Sequence, residues 1–184
     1  MGDALKVVAL IGEPATGKST ILREVLRRLS PGSYFKEGLV FGTAHFKEKV
    51  FVLGTYDEGI FSGTDRFSMA VQPKAKQFLI DKKLLMNDWT VLFEGDRIGN
   101  AKFFSFCEEE SEFKLFITQV SECEKHRRHK ERNDTQSEKF LRGRKTKIEN
   151  LKRAFPDAEI LSNETTEESS GNVMRILSEI TGGR

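Results

Sequence analysis

The stretch KVVALIGEPATGKST, residues 6–20, decides the fold of this chain. An apolar run ends at Ile11, and the next eight residues, Gly12–Ser19, fill every fixed position of the pattern G-x-x-x-x-G-K-[ST]. The two glycines of the pattern let the backbone turn so that successive N–H groups point at phosphate oxygens. The stretch therefore predicts a nucleotide-phosphate-binding loop between a buried strand and a helix.

The side chains of this loop have separate chemical roles. Lys18 places a positive charge against the β- and γ-phosphates, and the Ser19 hydroxyl is suited to ligate Mg²⁺. The following helix, whose apolar residues from Leu22 to Leu29 recur at helical spacing, directs its positive end at the same anion. The residues expected to contact the nucleotide are Gly12, Glu13, Pro14, Ala15, Thr16, Gly17, Lys18, Ser19 and Thr20.

Length and composition indicate one globular domain, residues 1–184, large enough to bury a core. No apolar run approaches membrane-spanning length, and the first residues lack a basic segment followed by an apolar one. We therefore expect a cytoplasmic protein without a membrane partner. With only two cysteines, the chain has no disulfide framework.

The net charge of +2 conceals a strong asymmetry along the chain. Residues 125–153 hold 12 of the 30 Lys and Arg residues but only 4 of the 28 acidic ones, a local balance of +8 against −6 elsewhere. A basic segment beside an acidic body indicates a polyanionic ligand, although such runs are often solvated helical faces.

The first half of the chain predicts a hairpin and a long loop. Two strand-like runs, 38–46 and 49–56, are expected to pair as a β-hairpin with Phe46 in the core. Residues 54–73, GTYDEGIFSGTDRFSMAVQP, are polar and rich in glycine, so we expect a functional loop outside the core. A helix is expected over residues 73–87.

A second candidate site lies where the apolar run 89–93 ends in Glu94-Gly95-Asp96-Arg97. Such a run is typical of a buried parallel strand, and ligands bind at the carboxyl ends of these strands in open α/β sheets. Glu94 is therefore expected to hold Mg²⁺ together with Ser19. The alternative is a strand-end carboxylate that caps the next turn.

Further strand-like runs at 114–120 and 158–161 alternate with helical segments at 124–132, 137–155 and 169–181. This alternation predicts a three-layer α/β fold, in which helices cover both faces of a mostly parallel sheet. The β-hairpin is expected as an addition at the sheet edge.

Three motifs together resemble the nucleoside and nucleotide kinase branch of the P-loop fold: GEPATGKST (12–20), EGDR (94–97) and RRHKER (127–132). The resemblance implies ATP and Mg²⁺ as cofactors and a basic lid at about residues 122–145 that closes over the transferring phosphoryl group. The residues expected to act in catalysis are Lys18, Asp65, Asp96, Arg97, Arg128 and Arg132.

Residues 54–73 are also similar to a segment of small bacteriophage kinases that phosphorylate 5-hydroxymethyluracil within DNA. That resemblance implies DNA containing a modified pyrimidine as the partner. The EGDR motif departs from the Asp-Arg and Glu-Arg-Ser forms of thymidylate and deoxynucleoside kinases, which argues against a free mononucleoside as the acceptor.

Asp57, Asp65 and Asp96 are the candidates for the base that takes the proton of the acceptor hydroxyl. Asp65 is the first choice, because the loop Gly-Thr-Asp-Arg is expected to face the phosphates. Its alternative role is to cap the following turn and to pair with Arg66.

Three functions stay open on the sequence. They are a kinase of a hydroxymethylated pyrimidine in DNA, a deoxynucleoside or deoxynucleoside-monophosphate kinase, and an NTP-dependent nucleic-acid-binding ATPase.

Overall fold

A computed structural model describes residues 4–57, 62–131, 133 and 135–182. The strands are β1 (Lys6–Gly12), β2 (Ser33–Glu37), β3 (Val40–His45), β4 (Val50–Leu53), β5 (Thr90–Glu94), β6 (Glu112–Gln119) and β7 (Glu159–Ser162). The helices are α1 (Lys18–Arg28), α2 (Val71–Leu85), α3 (Ala101–Glu110), α4 (Glu122–Glu131), α5 (Glu138–Ala154) and α6 (Thr166–Thr181).

The strands form one sheet in the order β2-β3-β4-β5-β1-β6-β7. Strands β4, β5, β1, β6 and β7 run parallel to one another, whereas β3 is antiparallel to both β2 and β4. This arrangement confirms the predicted mostly parallel α/β sheet with a hairpin addition.

The hairpin itself differs from the prediction in its extent. Strand β4 is not an edge strand, because it also pairs in parallel with β5, and all four of its residues are buried. The sheet edge is instead β2, a strand that the sequence did not predict. Four of its five residues are exposed, so it lacks the apolar pattern by which strands are recognised.

Helices cover both faces of the sheet, as the apolar residues of β1 illustrate. Val7 and Ala9 pack into a cluster with residues of α2, α3 and α5. Val8 and Leu10 point to the opposite face and pack with α1 and α6. Successive side chains of a strand alternate between faces, so a continuous apolar run predicts a strand that is covered twice.

Two predictions about the core are wrong. Phe46 is 62 % exposed, because β3 ends at His45 and the side chain lies at the surface, where its ring forms a T-shaped contact with Trp89. Part of the segment 54–73 belongs to the core, since Phe67 and Val71 are buried under the β3 side of the sheet. The segment as a whole is polar in composition, so the burial of Phe67 and Val71 was not predicted.

Three helices begin at side-chain caps that the sequence carries. The Asn100 side chain accepts the backbone N–H of Phe103 at the start of α3, and Ser137 does the same for α5. Helix α6 begins with a capping box between Thr165 and Glu168. Among the described residues, no helix is both long and apolar enough to cross a membrane.

We expect Phe104→Ala to lower the free energy of unfolding by about 3–5 kcal/mol, because it removes a fully buried ring. That ring contacts the rings of Phe93, Phe113 and Phe155. Phe46→Ala is the matched control and is expected to cost less than about 1 kcal/mol. Urea denaturation measures both, and equal losses would contradict this assignment of the core.

Candidate active site

The phosphate loop lies at the carboxyl end of β1, the strand from which the sheet extends in both directions. Ligands of open α/β sheets bind at this position. Gly17 begins α1 in the left-handed conformation, with φ of 88° and ψ of 10°, which glycine adopts readily. The Lys18 ammonium group donates to the carbonyl oxygens of Gly12 and Glu13, both at 2.9 Å, so its side chain folds back across the loop.

Buried polar side chains from distant strands hold the loop in shape. The Thr16 hydroxyl donates to the Glu13 carbonyl at 2.8 Å and lies 2.7 Å from the Thr118 hydroxyl of β6. The Asn163 amide, just after β7, donates to the Thr16 carbonyl at 2.8 Å. Neither Thr118 nor Asn163 was predicted from the sequence. Their position in the sequence could have indicated a role in the site, because each is a polar residue near the carboxyl end of a strand.

Ser19 and Glu94, the two residues predicted to hold Mg²⁺, are in contact. The Ser19 hydroxyl donates to Oε1 of Glu94 at 2.9 Å, and Glu94 is only 2 % exposed. Burial raises the pKa of Glu94 to about 7, against the opposing effects of the Lys18 charge and the Ser19 hydrogen bond. A buried carboxylate beside a hydroxyl supplies the hard oxygen ligands that Mg²⁺ requires, so this pair fits the ion.

The segment 54–73 approaches Glu94 closely. Gly63 has φ of 63°, and a Cβ atom there would lie 2.7 Å from Oε1 of Glu94. The Thr64 hydroxyl donates to the Glu94 carbonyl at 2.9 Å. A side chain at position 63 would therefore collide with the carboxylate, and only glycine permits this packing. Residues 58–61 of the segment lie outside the described residues.

Asp65 fixes the turn that follows β5. Its Oδ1 accepts the backbone N–H groups of Asp96 at 2.7 Å and Arg97 at 3.1 Å. The Arg97 guanidinium donates to the Asp65 carbonyl at 3.2 Å and contacts the Met69 sulfur. Arg66 pairs with the exposed Asp57 at 3.4 Å and not with Asp65. The structure thus brings Asp65 and Arg97 together, and places Asp57 at the surface.

Asp96 points to helix α5. It forms ion pairs with Arg144 at 2.9 Å and with Lys147 at 2.6 Å. These contacts join the end of β5 to the basic segment that the sequence identified as part of a lid.

Arg128 lies against the phosphate loop. Its guanidinium donates to the Ala15 carbonyl at 3.3 Å and to the Asn163 carbonyl at 2.7 Å, while Glu124 accepts a further hydrogen bond at 2.6 Å. Lys125, which was not predicted as a site residue, pairs with Glu13 of the loop at 2.9 Å. Helix α4 therefore touches the phosphate loop through two cations. Arg132 lies outside the described residues.

Acidic neighbours offset much of the positive charge of residues 125–153. Arg127 pairs with Glu124 and Glu131, Lys145 pairs with Glu122 at 2.7 Å, and Lys152 pairs with Glu149 at 3.0 Å. The surface charge available to an external anion is accordingly smaller than the composition of the segment indicates.

No protein-family model and no curated protein matches this sequence. Among the solved structures similar to the chain is the shikimate kinase of Bacteroides thetaiotaomicron. The two share 13 % sequence identity with a TM-score of 0.49, and the match covers 96 % of this chain and 98 % of that chain. The fold of the present chain is therefore described from its own strand order, and the candidate site from the contacts between its own side chains.

We expect Glu94→Gln to weaken Mg²⁺-dependent nucleotide binding by at least about tenfold, because it removes a charged oxygen ligand. Stability should not fall, since the variant replaces a buried carboxylate by a neutral group of the same shape. Isothermal titration of ATP at several Mg²⁺ concentrations measures the effect. Glu149→Gln, on the exposed face of α5, is the control. An unchanged Mg²⁺ requirement in Glu94→Gln would remove Glu94 from the metal site.

Proposed function

We propose that this chain is an ATP-dependent kinase whose acceptor is the hydroxymethyl group of 5-hydroxymethyluracil in DNA. The observation that carries the kinase part is the contact between Ser19 and Glu94 beside Lys18, at the mouth of a complete phosphate loop. These residues combine phosphate binding with a metal-binding carboxylate, which phosphoryl transfer requires.

In the proposed reaction, the backbone N–H groups of the loop and Lys18 bind the phosphates of ATP. Ser19 and Glu94 would hold Mg²⁺, which would supply positive charge to neutralise the phosphates. Asp65 takes the proton of the acceptor hydroxyl as its oxygen forms the new bond to the γ-phosphorus. The bond from that phosphorus to the bridging oxygen breaks, and ADP leaves with its electron pair.

The geometry around Asp65 supports this role in part. One carboxylate oxygen accepts two backbone N–H groups, which fix the side chain, and such fixed positioning favours a catalytic base. Asp65 also lies beside the end of β5, because the preceding Thr64 donates to the Glu94 carbonyl and Asp65 itself accepts the Asp96 N–H. Asp96 is engaged by two cations of α5, and Asp57 is at the surface, so Asp65 remains the first choice.

The DNA acceptor rests on two supports. Gly63 and Thr64, which belong to the segment that resembles that of the phage kinases, pack beside Glu94 at the end of β5, where an acceptor would approach the γ-phosphate. Helix α5 also presents exposed basic residues, including Lys139 and Arg142, that are suited to a phosphate backbone.

A second candidate is a deoxynucleoside or deoxynucleoside-monophosphate kinase. The observation that favours it is the pairing of Arg144 and Lys147 with Asp96, and of Lys145 with Glu122. Cations that already have acidic partners contribute less to binding a long polyanion.

An acceptor assay separates these functions. We expect label from γ-labelled ATP to appear in duplex DNA that contains 5-hydroxymethyluracil, and not in plain duplex, in the free nucleoside or in its monophosphate. Transfer should fall steeply between about 50 mM and 200 mM salt, because backbone contacts release counterions. Efficient, salt-insensitive transfer to the mononucleotide would establish the second candidate instead. Hydrolysis of ATP without transfer to any acceptor would indicate an ATPase.

We expect Asp65→Asn to lower kcat by about 10²–10⁴-fold, the usual contribution of a general base. The Kd for ATP should stay within about twofold of the wild-type value, because a base acts in the transition state. Single-turnover kinetics and ATP titration measure the two effects. Asp57→Asn is the matched control with the smaller expected loss. Weakened ATP binding with full turnover at saturation would reassign Asp65 to a structural role.

A further inference from the structure

Two buried asparagine side chains connect helix α6 to the phosphate loop, and the proposed reaction uses neither of them. Asn163, which directly follows β7, is 3 % exposed, and Asn172 of α6 is 8 % exposed. A buried amide destabilises a fold unless its polar atoms are hydrogen-bonded, whereas an apolar side chain has no such requirement. The hydrogen bonds of these two amides therefore indicate what they contribute.

The two amides form a chain of hydrogen bonds whose direction is fixed at both ends. Nδ2 of Asn172 donates to the Ser162 carbonyl at 2.7 Å and to Oδ1 of Asn163 at 3.3 Å. Nδ2 of Asn163 then donates to the Thr16 carbonyl at 2.8 Å. Carbonyl oxygens only accept hydrogen bonds, so the amides satisfy all these contacts in one orientation only. Asn172 thus determines that Asn163 presents a donor to the loop.

The backbone of Asn163 is fixed as well. Its N–H donates to the carbonyl of Gln119, the last residue of β6, at 3.0 Å. Its carbonyl accepts a hydrogen bond from the Arg128 guanidinium of α4 at 2.7 Å. Because β6, α4 and α6 all restrain this residue, its side-chain amide is a donor with a fixed position.

This amide lies directly against the backbone of the loop. A Cβ atom at position 17 would collide with Nδ2 of Asn163. Gly17 is therefore required for two reasons, its left-handed conformation and the space that the amide occupies. Gly12 is in the same situation, because a Cβ atom there would collide with Oγ1 of Thr118. Both glycines of the motif thus pack against buried polar side chains at the ends of β6 and β7.

The hydrogen bond from Asn163 sets the orientation of one peptide group of the loop. The bond between Thr16 and Gly17 is trans, so its C=O and N–H point in opposite directions. Since Asn163 holds the carbonyl, the Gly17 N–H is directed to the other side of the loop. Phosphate-binding loops of this pattern hold the anion with such backbone N–H groups. Glycine is conformationally permissive, so the N–H stays aligned only if its peptide group is restrained.

We propose that Asn163, oriented by Asn172, is a positioning residue that aligns the Gly17 N–H with a phosphate oxygen of the bound nucleotide. Asn163 acts through the peptide group between Thr16 and Gly17 and does not contact the ligand. This inference rests on the nucleotide-binding part of the proposed function. The ligand class it serves is a polyphosphate chain, because a backbone N–H recognises phosphate oxygens irrespective of the base.

The first test is Asn163→Ala, which removes the donor. We expect the Kd for magnesium tripolyphosphate to rise by about 10- to 100-fold, the effect of losing one hydrogen bond to a charged group. Isothermal titration measures this change, and tripolyphosphate is the probe because it contains no base. Proton–nitrogen NMR spectra follow Gly17 directly. On addition of tripolyphosphate, its amide proton should shift downfield in wild type and much less in the variant.

Asn172→Leu is the second variant, because it keeps the side-chain volume but removes the amide that orients Asn163. We expect a smaller rise in the same Kd, about two- to fivefold, since one neutral hydrogen bond is lost. Val173→Ala is the matched control, because it removes buried methyl groups from the same helix, next to Asn172. It should lower the urea midpoint without changing the Kd or the Gly17 shift.

A purely structural role for the amides predicts a different result. An unchanged Kd and an unchanged Gly17 shift in folded Asn163→Ala, with a lower urea midpoint, would overturn the proposal. If Asn163→Ala does not fold, Asn172→Leu decides by the same two measurements.

The binding data also separate this inference from the kinase function. Tripolyphosphate binding that depends on Asn163, without label transfer to any acceptor, supports the positioning role and contradicts the kinase. Label transfer by wild type, with a normal Kd in Asn163→Ala, supports the kinase and overturns the positioning role. If wild type binds no tripolyphosphate, the positioning role is overturned, and the transfer assay alone decides the kinase function.

Discussion

The hydrogen bond from Ser19 to Glu94 joins the first turn of α1 to the end of β5, and the surrounding structure depends on it. It places a carboxylate in a position that is almost closed to solvent, where ionisation is costly without a compensating charge. Lys18 supplies part of that compensation. The elements around Glu94 are consequently arranged to hold charged groups at fixed positions, which is the property that a phosphoryl-transfer site needs.

Residues 63–65 and helix α5 both contact the end of β5. Gly63 and Thr64 pack against Glu94, and Asp65 accepts a backbone N–H group of the turn that follows Glu94. Asp96, two residues after Glu94, holds α5 through Arg144 and Lys147. The four residues Glu94–Arg97 thus position the start of α1, the Asp65 turn and the basic helix α5 relative to one another.

The sequence predicted the features whose signals are local. The phosphate loop follows a fixed spacing, Glu94 ends an apolar run, and the alternation of strands and helices predicts the parallel sheet. Thr118 could not be found in this way, because its contact with Thr16 joins residues 102 positions apart. Strand β2 carries no apolar pattern, and Phe46 is apolar but lies just past the end of β3.

The ion pairs within the site were also not predicted from the sequence, although they determine how much positive charge is available to a ligand. Glu13 places a carboxylate inside the loop that we propose binds phosphate, and this charge would repel phosphate if it were uncompensated. Lys125 pairs with it at 2.9 Å in a largely buried position, where screening by water is weak. The same reasoning applies to α5, whose Arg144 and Lys147 are occupied by Asp96. A short anionic ligand needs only one or two cations beyond those of the loop, whereas a DNA backbone requires several exposed ones. The proposed DNA acceptor therefore requires exposed cations on the outer face of α5 in addition to the two that pair with Asp96.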